Sequence, residues 1–193
     1  MMHPVVRTAC LALLLQILPT PSLHSQNCDI PWSLNGVAAA DNGIVTLVPP
    51  GKQYVRGSAW NPAPIDLMRD FDYTFRMFLG STDYGSDGIM FVLQNQGLRA
   101  LGGADSIGIW MGYGNEPGTD GIAPSVAVEV DTYYNFEEPD PLYDHVAIDL
   151  NGSIKHEGAA AVQASATSDN IEDGPNTTCA WRGAPSPRRC RCI

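Results

Sequence analysis

The sequence predicts an all-β fold, an antiparallel β-sandwich built from many short strands. Gly and Pro are plentiful, at 19 and 15 of the 193 residues, which is typical of short strands joined by turns. Several segments alternate apolar and polar side chains with the period of two that a half-buried strand requires. No segment of helical length carries an apolar stripe that competes with this pattern.

The strand signal is clearest in four segments of the chain. Residues 71–77 place apolar side chains on one face and polar side chains on the other, and residues 126–131 and 145–150 repeat this alternation. Residues 88–93 form a short apolar run after a turn signal at residues 86–88. Because the strands are short and their connections are rich in Gly, we expect one sandwich domain with a single core.

The N-terminal segment is predicted to direct export. Residues 1–25 combine a short basic region, an apolar run too short to span a bilayer as a helix, and small residues near the end. This is the layout of a cleaved signal peptide, so we expect a secreted or cell-surface protein that has lost Cys10. Export makes disulfides possible among the remaining cysteines, whose pairing stays open. They are Cys28, Cys179, Cys190 and Cys192.

The rest of the chain divides into a domain and a tail. Residues 26–173 have a uniform composition and form the predicted sandwich. Residues 174–193 hold four Arg, three Cys and three Pro without an acidic residue, and they show neither strand alternation nor helical periodicity. We therefore expect a poorly ordered tail outside the sandwich. It is either a natural basic tail or the out-of-frame end of a truncated gene.

The acidic balance of the chain argues against one class of partner. The formal net charge is −10, and residues 26–173 hold six basic against 21 acidic side chains. Binding to phosphate needs a basic face, so we expect no nucleic acid as a partner. After the N-terminal segment no apolar stretch is long enough for a membrane span. The carboxylates either serve solubility alone or include some that hold cations.

A metal-site pattern lies in the segment Ser125 to Asp149. Glu129 and Asp131 share one face of a predicted strand, and two neighbouring carboxylates are unfavourable unless a positive charge lies between them. His145 opens the next strand and returns to them if the two strands are antiparallel. The loop between the strands adds oxygen donors. These are Asn135, Glu137, Glu138, Asp140 and Asp144.

The donor types in this segment suit two kinds of cation. Asp, Asn and main-chain oxygens suit Ca²⁺, and carboxylates combined with one imidazole suit Mn²⁺ or a similar divalent transition metal. The alternative is an ordinary solvated acidic loop, with His145 as a strand-end residue. The strand-borne pair of carboxylates and the returning His favour the metal site.

The same segment resembles legume-type (L-type) lectins of the concanavalin A-like superfamily. Those lectins carry a strand that reads roughly V-A-V-E-F-D-T, then Asn, Asp-Pro and H-I-G-I-D. The matching residues here are Val126–Thr132, Asn135, Asp140-Pro141 and His145–Asp149. The resemblance implies a jelly-roll sandwich with a dinuclear site. It assigns the transition metal to Glu129, Asp131, Asp140 and His145, and it assigns calcium to Asp131, Asn135, Asp140 and the Tyr133 carbonyl.

A second resemblance concerns a sugar site. Residues 84–94 are similar to the family's A-D-G-x-A-F-x-L, in which the Asp accepts hydrogen bonds from sugar hydroxyls after a cis peptide bond. The resemblance implies that Ser86–Asp87 is cis and that Asp87 and Asn135 bind carbohydrate. Residues 101–108 resemble the Gly-rich loop that donates a backbone N–H, with Gly103 as the candidate. By themselves, residues 84–94 are also typical of a tight turn, and residues 101–108 are also typical of a Gly-rich hairpin loop.

These observations predict a secreted lectin that binds glycans or glycoconjugates without catalysis, and they leave homo-oligomer formation open. Tyr133 or Trp110 is expected to stack on the sugar. Gly57–Trp60 resembles the opening of bacterial lectin-like domains, but the family's domain continues for several more strands, so we expect a sandwich that is incomplete at its C-terminus.

Two alternatives to a lectin remain. One is a laminarinase-type glucanase on the same fold. Such an enzyme resembles E-x-D-x-x-E on one strand, and here the second Glu is missing, with Glu137 and Glu138 out of register in the loop. The other alternative is an adhesion or structural domain whose metal only stiffens a loop.

Overall fold

The computed structural model is an all-β domain in the part of the chain that it describes, apart from one short 3-10 helix, Gly108–Trp110. The described residues are 30–82, 84–114, 120–136, 140–155, 171–172 and 177–183. The strands are β1 Ser33–Gly36, β2 Ala39–Asp41, β3 Ile44–Thr46, β4 Gly57–Trp60, β5 Phe71–Met77, β6 Gly88–Gln94, β7 Ser125–Asp131, β8 His145–Leu150 and β9 Thr177–Gly183. The predicted fold class is confirmed. Within these ranges, no helix is long and apolar enough to cross a membrane.

All the sheet pairings that involve these strands are antiparallel. β6, β7 and β8 form a three-stranded sheet, and three two-stranded pairs join β1 to β4, β2 to β3 and β5 to β9. In the three-stranded sheet, Gly88 lies opposite Asp131, and Asp131 lies opposite His145. The start of β6, the end of β7 and the start of β8 therefore meet at one end of the sheet.

The first face of the three-stranded sheet carries Ala127 and Glu129 of β7 and supports a compact apolar cluster. Alternation places the two residues on this face, and both are buried. The cluster consists of Ala100, Tyr113, Ile122, Ala127 and Ile154, with Trp60, Met90, Val92, Ile109 and Trp110 packed against it. Half of these ten residues come from the connection between β6 and β7, so this connection covers much of the first face.

The second face of the same sheet packs against β5. The ring of Phe91 on β6 stacks on Phe75 of β5, with ring centroids 5.5 Å apart and planes 11° apart. Tyr73 of β5 approaches the same ring at 6.5 Å. Two sheets joined by side chains from facing strands form a sandwich, so the predicted architecture is present in the described residues.

The C-terminal segment differs from the prediction. Residues 177–183 form β9, which pairs with β5 from Phe71 opposite Gly183 to Met77 opposite Thr177. The expectation that residues 174–193 form a tail outside the sandwich is therefore wrong for these seven residues. The Arg- and Cys-rich composition of the whole segment concealed a short stretch with Thr and Trp, which favour strands when a partner edge is available.

Several boundary predictions fall outside the described residues. The expected signal peptide, residues 1–25, lies there, as do residues 174–176 and 184–193. The export signal and the two ends of the domain stay predictions. β9 extends the sheet beyond the expected boundary at residue 173.

The stacked ring of Phe91 should be a main contributor to the sandwich. We expect Phe91→Ala to lower the free energy of unfolding by about 2 kcal/mol, since a partly buried ring loses apolar burial and leaves a void. Phe78→Ala is the matched control, because Phe78 is 63% exposed, and its effect should stay within about 0.5 kcal/mol. Urea denaturation of both variants measures this. Equal effects of the two substitutions would contradict the packing of β5 on β6.

Candidate functional site

The candidate site lies at the end of the three-stranded sheet where Gly88, Asp131 and His145 stand side by side. The loops that leave this end are joined to one another by backbone contacts. The N–H of Thr132, just after β7, donates to the carbonyl of Asp87, just before β6, at 2.8 Å. The register of three strands therefore determines which loop residues are neighbours.

Three of the predicted metal ligands come together here. Asp131, Asp140 and His145 each offer one ligand atom, and these atoms lie within 4.8 Å of one another. Asp131 and His145 are buried, and Asp140 is half-buried. The prediction that His145 returns to the carboxylate face rested on antiparallel pairing, and that pairing is present. Two carboxylates and one imidazole at this spacing form a donor set suited to a divalent transition ion.

Glu129 lies next to this cluster, on the same face of β7 as Asp131, and only 1% of it is exposed. Burial raises the pKa of Glu129 to about 8, with further contributions from the negative charges of Asp131 and Asp140, while a side-chain hydrogen bond with Asp149 opposes them. Among the described residues, the group whose ligand atoms all lie within 4.8 Å does not include Glu129. Glu129 thus lies beside the cluster as a carboxyl whose negative charge is disfavoured, and it hydrogen-bonds to Asp149.

The loop after β7 folds back on the cluster. The N–H of Tyr133 donates to Asp131 Oδ1 at 2.7 Å, and the N–H of Asn135 donates to Asp140 Oδ2 at 2.9 Å. These bonds hold Tyr133 and Asn135 beside the two carboxylates that the predicted metals would share. Tyr133 is 48% exposed, whereas Trp110 packs against the apolar cluster. Of the two aromatic residues predicted to stack on a sugar, Tyr133 is therefore the more accessible.

Asp87 connects this loop to β6. The Ser86–Asp87 peptide bond is cis, which confirms the prediction. Burial raises the pKa of the Asp87 carboxyl, a side-chain hydrogen bond with Asn135 lowers it, and the charge of Asp140 raises it. The two side chains predicted to bind sugar, Asp87 and Asn135, are therefore hydrogen-bonded to each other at the edge of the acidic cluster.

The Gly-rich segment behaves differently from the prediction. The N–H of Gly103 donates to the carbonyl of Asp120 at 3.0 Å. Because this bond occupies the only backbone donor of Gly103, the prediction that Gly103 offers it to a sugar fails in this structure. The reason is that the segment closes on the chain that enters β7, a contact between residues distant in sequence.

Gly108 is the residue of this segment that lies beside Asp87, and the sequence analysis missed it. It is exposed, its φ is +58°, and a Cβ built on it would stand 3.9 Å from Asp87 Oδ2. The turn that follows places the sulfur of Met111 against Gly88, at 3.1 Å from the position of a Cβ there. A positive φ favours Gly at this position, and only the folded chain shows that the turn lies beside Asp87.

The family-model comparison identifies the chain. The fold and the site define an all-β sandwich with a candidate metal centre of two carboxylates and one imidazole at one sheet end. The model described as "Legume lectin beta-barrel domain" matches residues 23–182. The chain therefore belongs to the L-type lectin family, as its motifs predicted.

Known relatives agree with this assignment. The seed leukoagglutinin of Maackia amurensis is 36% identical over 87 residues, which are 43% of this chain and 30% of that protein. The chain thus matches less than a third of the length of this curated relative.

Solved structures show the jelly-roll sandwich fold. The Bauhinia forficata lectin in complex with GalNAc has a TM-score of 0.58 at 22% identity, covering 82% of this chain and 69% of that one. Peanut lectin with a 9mer peptide has a TM-score of 0.60 at 20% identity, covering 80% and 65%. The metal-free form of lectin I-B4 from Griffonia simplicifolia has a TM-score of 0.58 at 21% identity, covering 82% and 70%.

The raised pKa of Glu129 predicts how stability changes with pH. In EDTA, the free energy of unfolding should fall as pH rises from about 4.5 to about 8. In this window the native carboxyl keeps a proton that the unfolded chain has released, so raising the pH favours the unfolded chain. The Glu129→Gln substitution keeps the shape of the side chain but removes its ionisable group, so the stability of this variant should depend less on pH. Urea denaturation across this pH window gives the free energy of unfolding of both proteins. An identical pH dependence in the two would refute the raised pKa of Glu129.

Proposed function

We propose that this chain is a sugar-binding lectin whose site is organised by bound divalent cations. One observation carries the proposal. The side chain of Asn135 is hydrogen-bonded to Asp87, and its backbone N–H is hydrogen-bonded to Asp140 at 2.9 Å. The two residues suited to sugar hydroxyls are thereby connected to a carboxylate of the metal cluster by consecutive hydrogen bonds.

The donor set fits the two cations that the family resemblance implies. We assign the transition metal, Mn²⁺ or a similar ion, to Asp131, Asp140 and His145, with Glu129 beside them. We assign Ca²⁺ to the oxygen donors, with the two Asp residues shared. Those donors are Asp131, Tyr133, Asn135 and Asp140. Bound cations would offset the repulsion and desolvation that raise the pKa of Glu129.

The protein residues then make the sugar contacts. The Asp87 carboxylate accepts hydrogen bonds from two neighbouring hydroxyls, and the Asn135 side chain donates to a sugar oxygen. The exposed backbone at Gly108 borders the same position and replaces Gly103 as the proposed backbone donor. The ring of Tyr133 stacks on the apolar face of the sugar. Because few atoms are buried, affinity for one sugar should be on the order of millimolar to micromolar.

This proposal contains no bond-breaking step. A retaining glucanase needs two carboxyls about 5 Å apart, one acting as a nucleophile and the other as a general acid. Glu129 and Asp131 stand on one strand with the metal cluster, while Glu137 and Glu138 lie outside the described residues. We propose glycans or glycoconjugates as partners, reached after export by the N-terminal segment.

An adhesion domain without sugar binding is the second candidate. It would keep the metal cluster but make no use of Asp87. The contact between Asp87 and Asn135 favours the lectin, because a loop-stiffening metal does not require an Asp beside the site.

Sugar binding should depend on Asp87 and on divalent cations. On an array of neutral glycans with Ca²⁺ and Mn²⁺, we expect binding that EDTA removes. Asp87→Asn should weaken it at least about tenfold, since it replaces a two-hydroxyl acceptor with a group that has one acceptor oxygen. The control is Asp70→Asn, an exposed site, which should bind like the wild type. A well-folded wild type that binds no glycan would favour the adhesion domain.

Metal binding should stabilise the fold through Asp131. A ligand bound only by the native state, at about 100 times its dissociation constant, adds roughly 2.7 kcal/mol. Calcium with manganese should therefore raise the melting temperature of the wild type and leave that of Asp131→Asn unchanged. Differential scanning calorimetry measures this, with Asp70→Asn as the matched control. Equal metal-dependent shifts in wild type and Asp131→Asn would remove Asp131 from the site.

A further inference from the structure

The segment that carries Gly108 is a closed loop, residues 102–112. Its two ends are joined where the N–H of Gly102 donates to the carbonyl of Gly112 at 2.7 Å. The N–H of Gly112 in turn donates to the carbonyl of Ser106 at 2.8 Å, and Ser106 is fully buried. Gly108, in contrast, is exposed beside Asp87. The position of this loop relative to the sheet end therefore determines the distance between its backbone and Asp87.

Arg56 contacts this loop at both of its ends. Its Nε donates to the carbonyl of Gly102 at 2.8 Å, and its guanidinium also donates to the carbonyl of Ala104 at 3.4 Å. At the other end, the stem of Arg56 lies under Gly112, where an added Cβ would meet Arg56 Cβ at 3.2 Å. The side chain of Arg56 thus contacts both ends of the loop, where Gly102 and Gly112 are joined.

Arg56 is itself held by the β1–β4 sheet. It directly precedes β4, and its carbonyl accepts a hydrogen bond from the N–H of Val37 at 3.1 Å. Its guanidinium is planar and holds donors in a rigid fork, so it can join two carbonyls of one loop at a defined distance. A Lys at this place could reach one carbonyl but could not reproduce the fork.

We propose that Arg56 is a positioning residue of the sugar site, which holds the 102–112 loop so that the backbone at Gly108 stays beside Asp87. Arg56 acts through the loop and makes no contact with sugar or metal in this role. The inference rests on the proposed sugar binding for its effect on affinity. Its effect on the loop can be measured without any sugar.

The test compares Arg56→Gln and Arg56→Lys with Arg69→Gln. Arg69 is a suitable control because its side chain is 83% exposed and, within the described part of the chain, forms a salt bridge with the surface residue Asp66 at 3.3 Å, a pair that contributes little. The probe is an array of neutral galactose-, N-acetylgalactosamine- and mannose-terminated glycans. Titrations use the glycan that the wild type binds most strongly, and calcium binding is measured in parallel by calorimetry.

We expect Arg56→Gln to weaken glycan binding about tenfold, the effect of losing a charge-assisted hydrogen bond. Its calcium affinity should stay within about twofold of the wild type, because Arg56 contacts none of the proposed ligands. Arg56→Lys should recover part of the glycan affinity. A purely structural role would lower both affinities together. Unchanged glycan affinity in Arg56→Gln would overturn the proposal.

Hydrogen exchange provides the arm that needs no sugar. Peptides that cover residues 102–112 should exchange faster in Arg56→Gln than in the wild type or Arg69→Gln, since the loop closure loses its support. If the wild type binds no glycan, the proposed function fails, and this measurement alone judges whether Arg56 positions the loop. If Arg56→Gln does not fold, Arg56→Lys carries both measurements. Exchange equal to that of the wild type in the folded variant would refute the role of Arg56.

Discussion

The antiparallel register of β6, β7 and β8 is the constraint on which the candidate site depends. It places Gly88, Asp131 and His145 in one row, and the loops that carry Asp87 and Asp140 start from this row. A slip of one residue would turn Glu129 and Asp131 to the opposite face and separate them from His145. The apolar residues of β7 that pack on the second face oppose such a slip, because it would turn them to the first face and remove their packing contacts.

Concentrated negative charge at a buried sheet end is unfavourable for folding. Glu129 and Asp131 share a face with Ala127, and the apolar cluster around Tyr113 covers that face. Burial and mutual repulsion together raise the pKa of Glu129 to about 8. Sites that break the ordinary rules of burial are typical of function, and a divalent cation is the partner that would reverse the sign of this electrostatic energy. When no cation is bound, apolar packing elsewhere in the sandwich offsets this unfavourable electrostatic energy.

Much of the site was predictable from the sequence because its pieces are local. Alternation on one strand is enough to place Glu129 beside Asp131, and antiparallel pairing of β8 with β7 then returns His145 to them. The prediction that the Gly103 N–H donates to a sugar was wrong because this group bonds to Asp120, 17 positions along the chain. No local pattern reveals that contact. β9 was missed because a strand forms from an unremarkable stretch when a suitable edge lies next to it, and β5 is about 100 residues away.

By itself, the sequence determined the fold class, the faces of the strands and the types of donor that meet at one sheet end. These depend on the period of two along a strand and on the chemistry of single side chains. Only the tertiary structure decided that both faces of β7 are covered, that Gly108 stands beside Asp87, and that Arg56 supports the loop between them. Each of these depends on contacts between segments far apart in the chain, and local patterns carry no information about such distances.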